Sequence, residues 1–326
     1  MLTWIDRTET NCPTGIGRYN KALLDRLLEG FVNVEHSKKM EVEVFGKKLG
    51  GFVSRIAWNA FGSFEGVVHA PGIFQLHRDC DTCMIHDFQL IENPEKLSIP
   101  GWLWNWHLET IRELDAVLCP SGKTAREVIQ RGWACPSNVY VVHHGIDTCQ
   151  FYPENPSKIE LNNYVLLVGR YQKRKSWHQL AGFENFSVPV IRVGPPNKGA
   201  SKELQDIVES RGGEFRDYGY VSDETLRQLL TGASMVLHPA KMEGFGFVPL
   251  EAAACGTPTM CRSLDIYRET VKDLRIPWTV SFDEALEIAE NIGSKYLIRE
   301  ASRFSWAESV KKHIKIWRII QNEDGS

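Results

Sequence analysis

The sequence lacks any apolar run of about 18 residues, the length at which a stretch is interpreted as a membrane-spanning helix. It also lacks an excess of one charge, since 38 Lys and Arg residues face 41 Asp and Glu residues and the formal net charge is −3. This balance gives no general attraction to nucleic acid or to an anionic membrane. Internal repeats and low-complexity segments are also absent, so a repeat protein is not indicated.

A secretory leader is not evident, because Met1–Arg7 places charges where a signal peptide has its apolar core. We therefore expect a cytoplasmic protein. The eight cysteines are scattered along the chain. In that compartment we expect reduced, mostly buried thiols rather than a disulfide framework.

Two short patterns raise the question of a metal site. Cys80 and Cys83 form a Cys-x-x-Cys, but the second such pair of the common zinc pattern is missing. Asp79 and Asp81 form an Asp-x-Asp, which holds a divalent ion in some enzymes but is short enough to arise by chance. We predict no metal ligands and no cofactor, with zinc or redox use of the cysteine pair as the alternative.

The length and pattern of the chain indicate a two-domain α/β protein. At 326 residues it exceeds the size at which a single core usually stops growing. Short apolar runs alternate with longer amphipathic ones, which favours parallel sheets. We predict two Rossmann-like domains that face each other across a cleft, over residues 1–153 and 154–305. A C-terminal helix and tail would follow at 306–326. The Pro- and Asn-rich segment Tyr152–Pro156 is the candidate linker.

The strands follow from the apolar runs and the helices from the amphipathic ones. Predicted strands are Leu2–Ile5, Val42–Phe45, Val67–His69, Thr82–Ile85, Ala116–Cys119, Val139–Val142, Tyr164–Val168, Val190–Val193, Phe215–Tyr218 and Met235–His238. The first predicted helix opens at Thr14–Tyr19 and runs through about Leu28. The other predicted helices are Lys123–Arg131, Lys202–Ser210, Asp223–Leu230 and Trp306–Ile319. In such sheets ligands bind beyond the carboxyl ends of the strands. The polar residues that directly follow strands are therefore the first candidates: His86, Asp87, Gly145, Arg170 and Glu243.

Residues 243–258 form a loop followed by a short helix. Pro249 suits the first helical position because its missing N–H would have no partner there. Gly256 suits a left-handed residue at the helix end. Glu243 then lies in the loop and Glu251 in the first turn, where the helix dipole favours a carboxylate.

The glycines of the same stretch make the helix mouth suitable for an anion. Gly244 and Gly246 have no side chain to keep a phosphate away from the backbone amides. Carboxylates accept hydrogen bonds from sugar hydroxyls, and amides donate to phosphate. This combination is suited to a nucleotide-sugar, although a loop with a capping Glu is the simpler alternative.

With these motifs the chain resembles the retaining glycosyltransferases of the large family 4, which have the two-domain GT-B fold. The resemblance covers nearly the whole chain, and it implies that the C-terminal helix crosses back to the first domain. It has two departures, because His144 stands where Asn is usual and the first domain is shorter than in typical members. The matching segments are Glu243 with Glu251, Gly169-Arg170 followed by Lys175, Thr14–Tyr19, His86-Asp87, His144–Asp147 and Phe304–Trp306.

The resemblance implies roles for these residues. Arg170 and Lys175 would bind the diphosphate, Glu243 the transferred sugar and Glu251 the ribose, while His86 would contact the sugar. The implied catalytic set is His86, Glu243, Arg170 and Lys175. The implied donor-binding set is Gly15, Gly17, Gly169, Tyr220, Val221, Gly244, Phe245, Gly246, Phe247 and Glu251. Lys173 and Arg174 belong to a charge run that we interpret as solvated.

The acceptor side is less sharply defined by the sequence. Candidates are Arg18, Asp87, Trp102, Trp104 and Trp106. Period-two spacing does not put all three tryptophans on one face of a helix, so we expect at least one of them to be exposed. Core packing is the alternative to an acceptor platform or a membrane-surface contact, since Trp suits all three.

The implied function is transfer of a hexose-type sugar from a UDP- or GDP-linked donor, without a metal, to a glycan or lipid-linked acceptor. A leaving phosphate oxygen would take the acceptor proton. Nucleic acid is not an expected partner, and a peripheral contact at the inner membrane face stays open. The alternatives are a nucleotide-sugar epimerase or a phosphorylase of the same fold, or a non-catalytic nucleotide-sugar-binding module.

Overall fold

Short apolar segments that alternate with amphipathic ones form two parallel six-stranded sheets. The computed structural model describes residues 2–5, 15–29, 34–37, 43–44, 47–48, 66–88, 101–154, 163–272 and 274–323. The chain divides into two compact units, Met1–His144 with Trp306–Ser326, and Gly145–Ser305. The division falls before the predicted linker because residues 145–151 already contact the second unit. The Ile146 amide donates to the Phe304 carbonyl oxygen (2.7 Å), and Phe151 packs in the hydrophobic core of the second unit.

The first unit contains a sheet in the order β2-β1-β5-β6-β7-β8, with every pairing parallel. Its strands are β1 Leu2–Ile5, β2 Val34–Ser37, β5 Val67–Ala70, β6 Thr82–Met84, β7 Ala116–Cys119 and β8 Val139–Val141, while β3 Glu43–Val44 and β4 Lys47–Lys48 form a separate antiparallel pair. The strand predicted at 42–45 therefore does not join the large sheet, and its ends lie outside the described residues. The edge strand β2, with the polar sequence Val-Glu-His-Ser, was not predicted.

The second sheet has the order β11-β10-β9-β12-β13-β14, which is the order of a dinucleotide-binding fold. Its strands are β9 Val165–Val168, β10 Val190–Val193, β11 Phe215–Asp217, β12 Met235–His238, β13 Thr259–Cys261 and β14 Arg275–Pro277. Its parallel register alternates residues between two faces. Leu166 and Ile191 pack in one core cluster, and Val165 and Val190 in another. Helices thus cover both faces, as a buried parallel sheet requires.

The described helices follow the strands in alternation. They are α1 Gly15–Glu29, α2 Gly101–Glu113, α3 Gly122–Gln130, α4 Lys198–Glu209, α5 Asp223–Gly232, α6 Phe247–Ala254, α7 Asp265–Thr270, α8 Phe282–Asn291, α9 Ser294–Ala301 and α10 Trp306–Glu323. Ser121 caps α3 by accepting from the Thr124 amide (3.1 Å), as its position before the helix indicates. Within the described ranges, no helix combines the length and the apolar character that a membrane span needs.

The last helix, α10, belongs to the first unit, which confirms that the chain returns to the domain where it began. The Trp317 indole N–H donates to Thr82 Oγ1 (3.2 Å), and His313 Nε2 lies 3.0 Å from the hydroxyl of Tyr19 in α1. Both side chains from α10 are buried. The helix is therefore joined to α1 and β6 by hydrogen bonds within the core.

Candidate active site

The carboxyl ends of β9 and β12 meet where the strand order of the second sheet reverses. Such a switch point is where open α/β sheets bind their ligands. Gly169 and Arg170 follow β9 directly, and Arg170 is exposed. The segment 239–246 follows β12 and leads into α6. Two of the sequence motifs are thus adjacent within one unit.

A buried ionic cluster surrounds Glu243 at this point. Glu243 Oε1 accepts from Lys175 Nζ at 2.7 Å and from Arg174 Nη1 at 3.0 Å. The Glu243 and Lys175 side chains are only 13% and 8% exposed. Burial alone would raise the pKa of Glu243, but Lys175 and Arg174 outweigh it and hold the pKa well below its usual range. The carboxylate is therefore ionised and held in one orientation.

Two members of this cluster were not predicted. Arg174, interpreted as solvated, binds Glu243, and its carbonyl accepts from the Lys241 amide (2.9 Å), so that interpretation was wrong. His238 ends β12, is buried, and places Nε2 3.3 Å from Glu243 Oε1. Burial lowers the pKa of His238 to about 4, so it is neutral. A polar residue that ends an apolar strand was the available signal for His238. Lys173 is exposed, in agreement with its interpretation.

A buried arginine fixes the loop after β9. Arg192 donates to the Gly169 carbonyl (2.7 Å) and to Asp217 Oδ1 (3.0 Å), and its guanidinium lies 4.3 Å from the centre of the Tyr171 ring. Gly194 has a φ of +140°, and a Cβ there would collide with the Gly169 backbone. Arg192 therefore sets the position from which Arg170 projects.

The helix after Glu243 differs from the prediction at its start and agrees at its end. It begins at Phe247 after Gly246, which has a φ of +89°. Pro249 is thus the third helical residue, not the first, and is tolerated because N–H groups of the first turn have no helical acceptor. Glu251 consequently begins the second turn and is buried, so its predicted place in the first turn was wrong.

The end of α6 forms the predicted left-handed cap. Gly256 has a φ of +80°. Its amide donates to Ala253, and the Thr257 amide donates to Ala252, both at 2.9 Å. These two bonds are those of a Schellman motif.

The remaining donor-side candidates divide into exposed and buried residues. Tyr220 is 62% exposed beside Gly219, whose φ is +64°, so this tyrosine is not part of the core. Val221 and Phe247 are partly buried against the second core. Phe245 is buried, and its ring packs edge-on against Phe304 at 5.7 Å. The backbone around Phe245, not its ring, is what this loop offers to a ligand.

Other candidates lie in the first unit. Gly15 begins α1, Gly17 is buried in its first turn, and Arg18 is half-buried. His86 and Asp87 follow β6 and are partly buried. Burial lowers the pKa of His86 to about 4, against a smaller opposite effect of the Pro71 carbonyl.

The tryptophans of α2 have different surroundings. Trp104 packs against the first core, with its ring 6.4 Å from that of Trp133, which favours the core-packing interpretation. Trp106 is half-buried and lies beside the His107 ring (5.0 Å). The Trp102 side chain lies outside the described part of the structure. Of the two tryptophans whose side chains the structure describes, Trp106 thus keeps the acceptor-side hypothesis.

The Cys-x-x-Cys and Asp-x-Asp patterns both lie in the first unit. Cys80 and Cys83 are buried thiols that form no disulfide. Asp81 Oδ2 accepts from the Val68 amide (2.6 Å), and Asp79 Oδ2 lies 3.5 Å from His77 Nδ1. Across the described ranges no group of three or more His, Cys, Asp or Glu side chains is arranged to hold a metal ion.

Comparison with known proteins connects this geometry to one family. A family model described as "Glycosyl transferases group 1" matches residues 151–313. The alpha-maltose-1-phosphate synthase of Mycolicibacterium smegmatis is 28% identical over 249 residues, which span 64% of this chain and 64% of that enzyme. The O-antigen chain mannosyltransferase B of Escherichia coli is 25% identical, over 94% of this chain and 96% of the other.

A solved structure extends the comparison to the whole chain. Anabaena HepE in complex with UDP-glucose superimposes with a TM-score of 0.70 at 17% identity, covering 98% of this chain and 99% of that one. At this identity the likeness establishes the fold. The fold is GT-B, as the family resemblance implied.

Proposed function

The chain belongs to the glycosyl transferases group 1 family, and from that premise we propose that it is a retaining glycosyltransferase. It would move a hexose-type sugar from a nucleotide-sugar to an acceptor. The observation that carries this proposal is the Glu243 carboxylate, held by Lys175 and Arg174 at the switch point of the second sheet. A fixed carboxylate beside surplus cations suits a sugar diphosphate.

The charges of the cluster favour an anionic ligand. Lys175 and Arg174 together carry two positive charges against the single charge of Glu243, and the exposed Arg170, which follows β9, adds a third positive charge to this loop. The contacts from Lys175, Arg174 and His238 all reach Oε1 of Glu243. We assign the other oxygen, Oε2, to a hydroxyl of the transferred sugar, and the cations to the diphosphate.

The proposed reaction balances on the substrates themselves. The acceptor oxygen forms a bond to the anomeric carbon while the bond from that carbon to the phosphate oxygen breaks. The electron pair stays on the diphosphate, and its oxygen takes the acceptor proton on the same face of the sugar. Arg170 and Lys175 would stabilise the developing negative charge, which is the main catalytic contribution expected of fixed cations.

The finer assignments follow from the same site. Because protein cations neutralise the diphosphate, we propose that no divalent metal is required. One relative is named a mannosyltransferase, and the superimposed structure contains UDP-glucose. We therefore propose a UDP- or GDP-linked mannosyl- or glucosyl-type donor. We further propose that the enzyme is cytoplasmic and that its acceptor is a glycan or a lipid-linked molecule. Trp106 is the candidate residue for contact with such an acceptor or with the inner membrane face.

The test is a transfer and donor-hydrolysis assay with a panel of UDP-, GDP- and ADP-sugars. We expect Glu243→Ala and Lys175→Ala to lower kcat/KM by roughly 100-fold, and Arg170→Ala to lower it as well. Lys173→Ala, a change of an exposed neighbour in the same turn, is the matched control and should leave the rate unchanged.

Three outcomes would contradict the proposal. Wild-type turnover in all three site variants would contradict the assignment of these residues to the active site. A changed sugar-nucleotide without any acceptor would indicate an epimerase, and a requirement for free phosphate would indicate a phosphorylase. Proton NMR of the product checks that the anomeric configuration of the donor is retained.

A further inference from the structure

His144 lies where the resembled family usually has Asn, at the turn that follows β8. It is 2% exposed and belongs to the first unit. A buried imidazole that replaces a smaller amide needs partners for its ring nitrogens. One of those partners is His86, the candidate sugar-contacting residue after β6.

The hydrogen bonds around His86 determine which atoms carry protons. His86 Nε2 lies 2.7 Å from the Pro71 carbonyl oxygen. A carbonyl oxygen only accepts, so Nε2 carries the proton and Nδ1 of the neutral ring is an acceptor. His144 Nε2 lies 3.2 Å from His86 Nδ1 and must therefore be the donor.

Aromatic rings hold His144 in the orientation that this bond needs. The Trp306 ring is stacked on it, with centroids 6.0 Å apart and planes at 26°. Tyr19 lies 4.8 Å from both the His144 ring and the His86 ring. Tyr19 is held in turn by His313, whose Nδ1 donates to the Ser309 carbonyl (2.8 Å) and whose Nε2 accepts from the Tyr19 hydroxyl (3.0 Å). Helices α1 and α10 thus form the wall behind the histidine pair.

We propose that His144 is a positioning residue, which donates its Nε2–H to His86 Nδ1 and so keeps His86 as a neutral, fixed ring. With both nitrogens engaged, His86 cannot take the acceptor proton. That proton then passes to the leaving phosphate, as in the reaction proposed above. The inference rests on the proposed function only for the place of His86 at the reaction site.

The direct test is the nitrogen NMR spectrum of the 15N-histidine-labelled protein, with His86 assigned from the signal that His86→Gln removes. We expect a protonated Nε2 and a hydrogen-bonded, unprotonated Nδ1. His144→Phe keeps the stacked ring but has no donor, so the Nδ1 signal should move toward its free-acceptor position. His144→Gln, whose side-chain amide can place its Nε2 donor where the histidine Nε2 lies, should keep it close to wild type. His143→Phe is the matched neighbouring control and should leave the His86 signals unchanged.

Enzymatic activity gives a second readout, which a purely structural role of His144 would change in a different way. Loss of one neutral hydrogen bond predicts a kcat roughly five- to tenfold lower in His144→Phe. We expect a nearly unchanged donor KM, and largely restored kcat in His144→Gln. Equal losses in both variants would show that packing, not donation, matters, and would overturn the proposal.

The outcomes separate this inference from the proposed function. A proton on His86 Nδ1 in the wild type, or an unmoved Nδ1 signal in His144→Phe, would overturn the role of His144 whether or not sugar transfer is found. If His144→Phe does not fold, the wild-type and His144→Gln spectra still decide the direction of donation. A protein without transfer activity but with the expected spectrum would contradict the proposed function and leave His144 as the donor to His86.

Discussion

Glu243→Gln removes the negative charge of the cluster while keeping the size of the side chain. Lys175, 8% exposed, then loses its ionic partner at 2.7 Å. Removing one partner of a fully buried ion pair costs about 3–5 kcal/mol. Because both side chains retain some exposure, we reduce this to roughly 2–3 kcal/mol. For a unit of this size, that predicts a Tm lower by about 5–10 °C.

The assay is thermal and urea unfolding of Glu243→Gln, Lys175→Met and the double variant. We expect the double variant to be more stable than the sum of the single losses predicts, with a coupling of at least about 1 kcal/mol. Lys311→Met is the control, because Lys311 pairs with Glu308 at 2.6 Å on the surface, where such pairs contribute little. A Tm of Glu243→Gln within about 1 °C of wild type, or additive single losses, would refute the account of the cluster.

Three further predictions concern pH, backbone and metal. Burial lowers the pKa of His86 and His313 to about 4, whereas unfolded histidine titrates near 6.5. Stability is therefore fully present above that value and falls between about pH 6.5 and 4, by roughly 1.4 kcal/mol per pH unit for each histidine. Urea unfolding at several pH values checks this, and a flat profile would contradict it. Gly194→Ala should lower the free energy of unfolding by more than roughly 1 kcal/mol, because both the positive φ of Gly194 and the Gly169 backbone oppose a Cβ. Chemical denaturation measures this loss, and a variant as stable as the wild type would contradict the predicted clash. Transfer rates should be the same with and without a chelator, and loss of activity on chelation would restore a metal role.

The sequence was sufficient for features that depend on local chemistry. The strands around the switch point, β9 and β12, are apolar runs at positions where buried strands are expected. Gly256 is recognisable as a left-handed cap because it stands between a short helix and a proline. The return of α10 to the first unit follows from the family resemblance.

What the sequence did not reveal depends on contacts between distant segments. Arg174 looked like any member of a charge run, and only the folded chain places it 3.0 Å from Glu243, which is 69 positions away. Arg192 carries a charge in a strand whose every residue is buried, and its partners, the Gly169 carbonyl and the Asp217 carboxylate, lie more than 20 positions away in the sequence. The start of α6 was misplaced because proline is also acceptable later in the first turn. Strand β2 was missed because pairing, not hydrophobicity, holds an edge strand.

The measurement that tests the central claim most directly is calorimetric titration with UDP and GDP. The account predicts that one nucleotide binds the wild type and Lys173→Ala equally well, and that it binds Lys175→Ala and Arg174→Ala at least roughly tenfold more weakly, as expected when a charge-assisted bond is lost. Equal affinity in wild type, Lys175→Ala and Arg174→Ala would contradict a diphosphate site at Glu243.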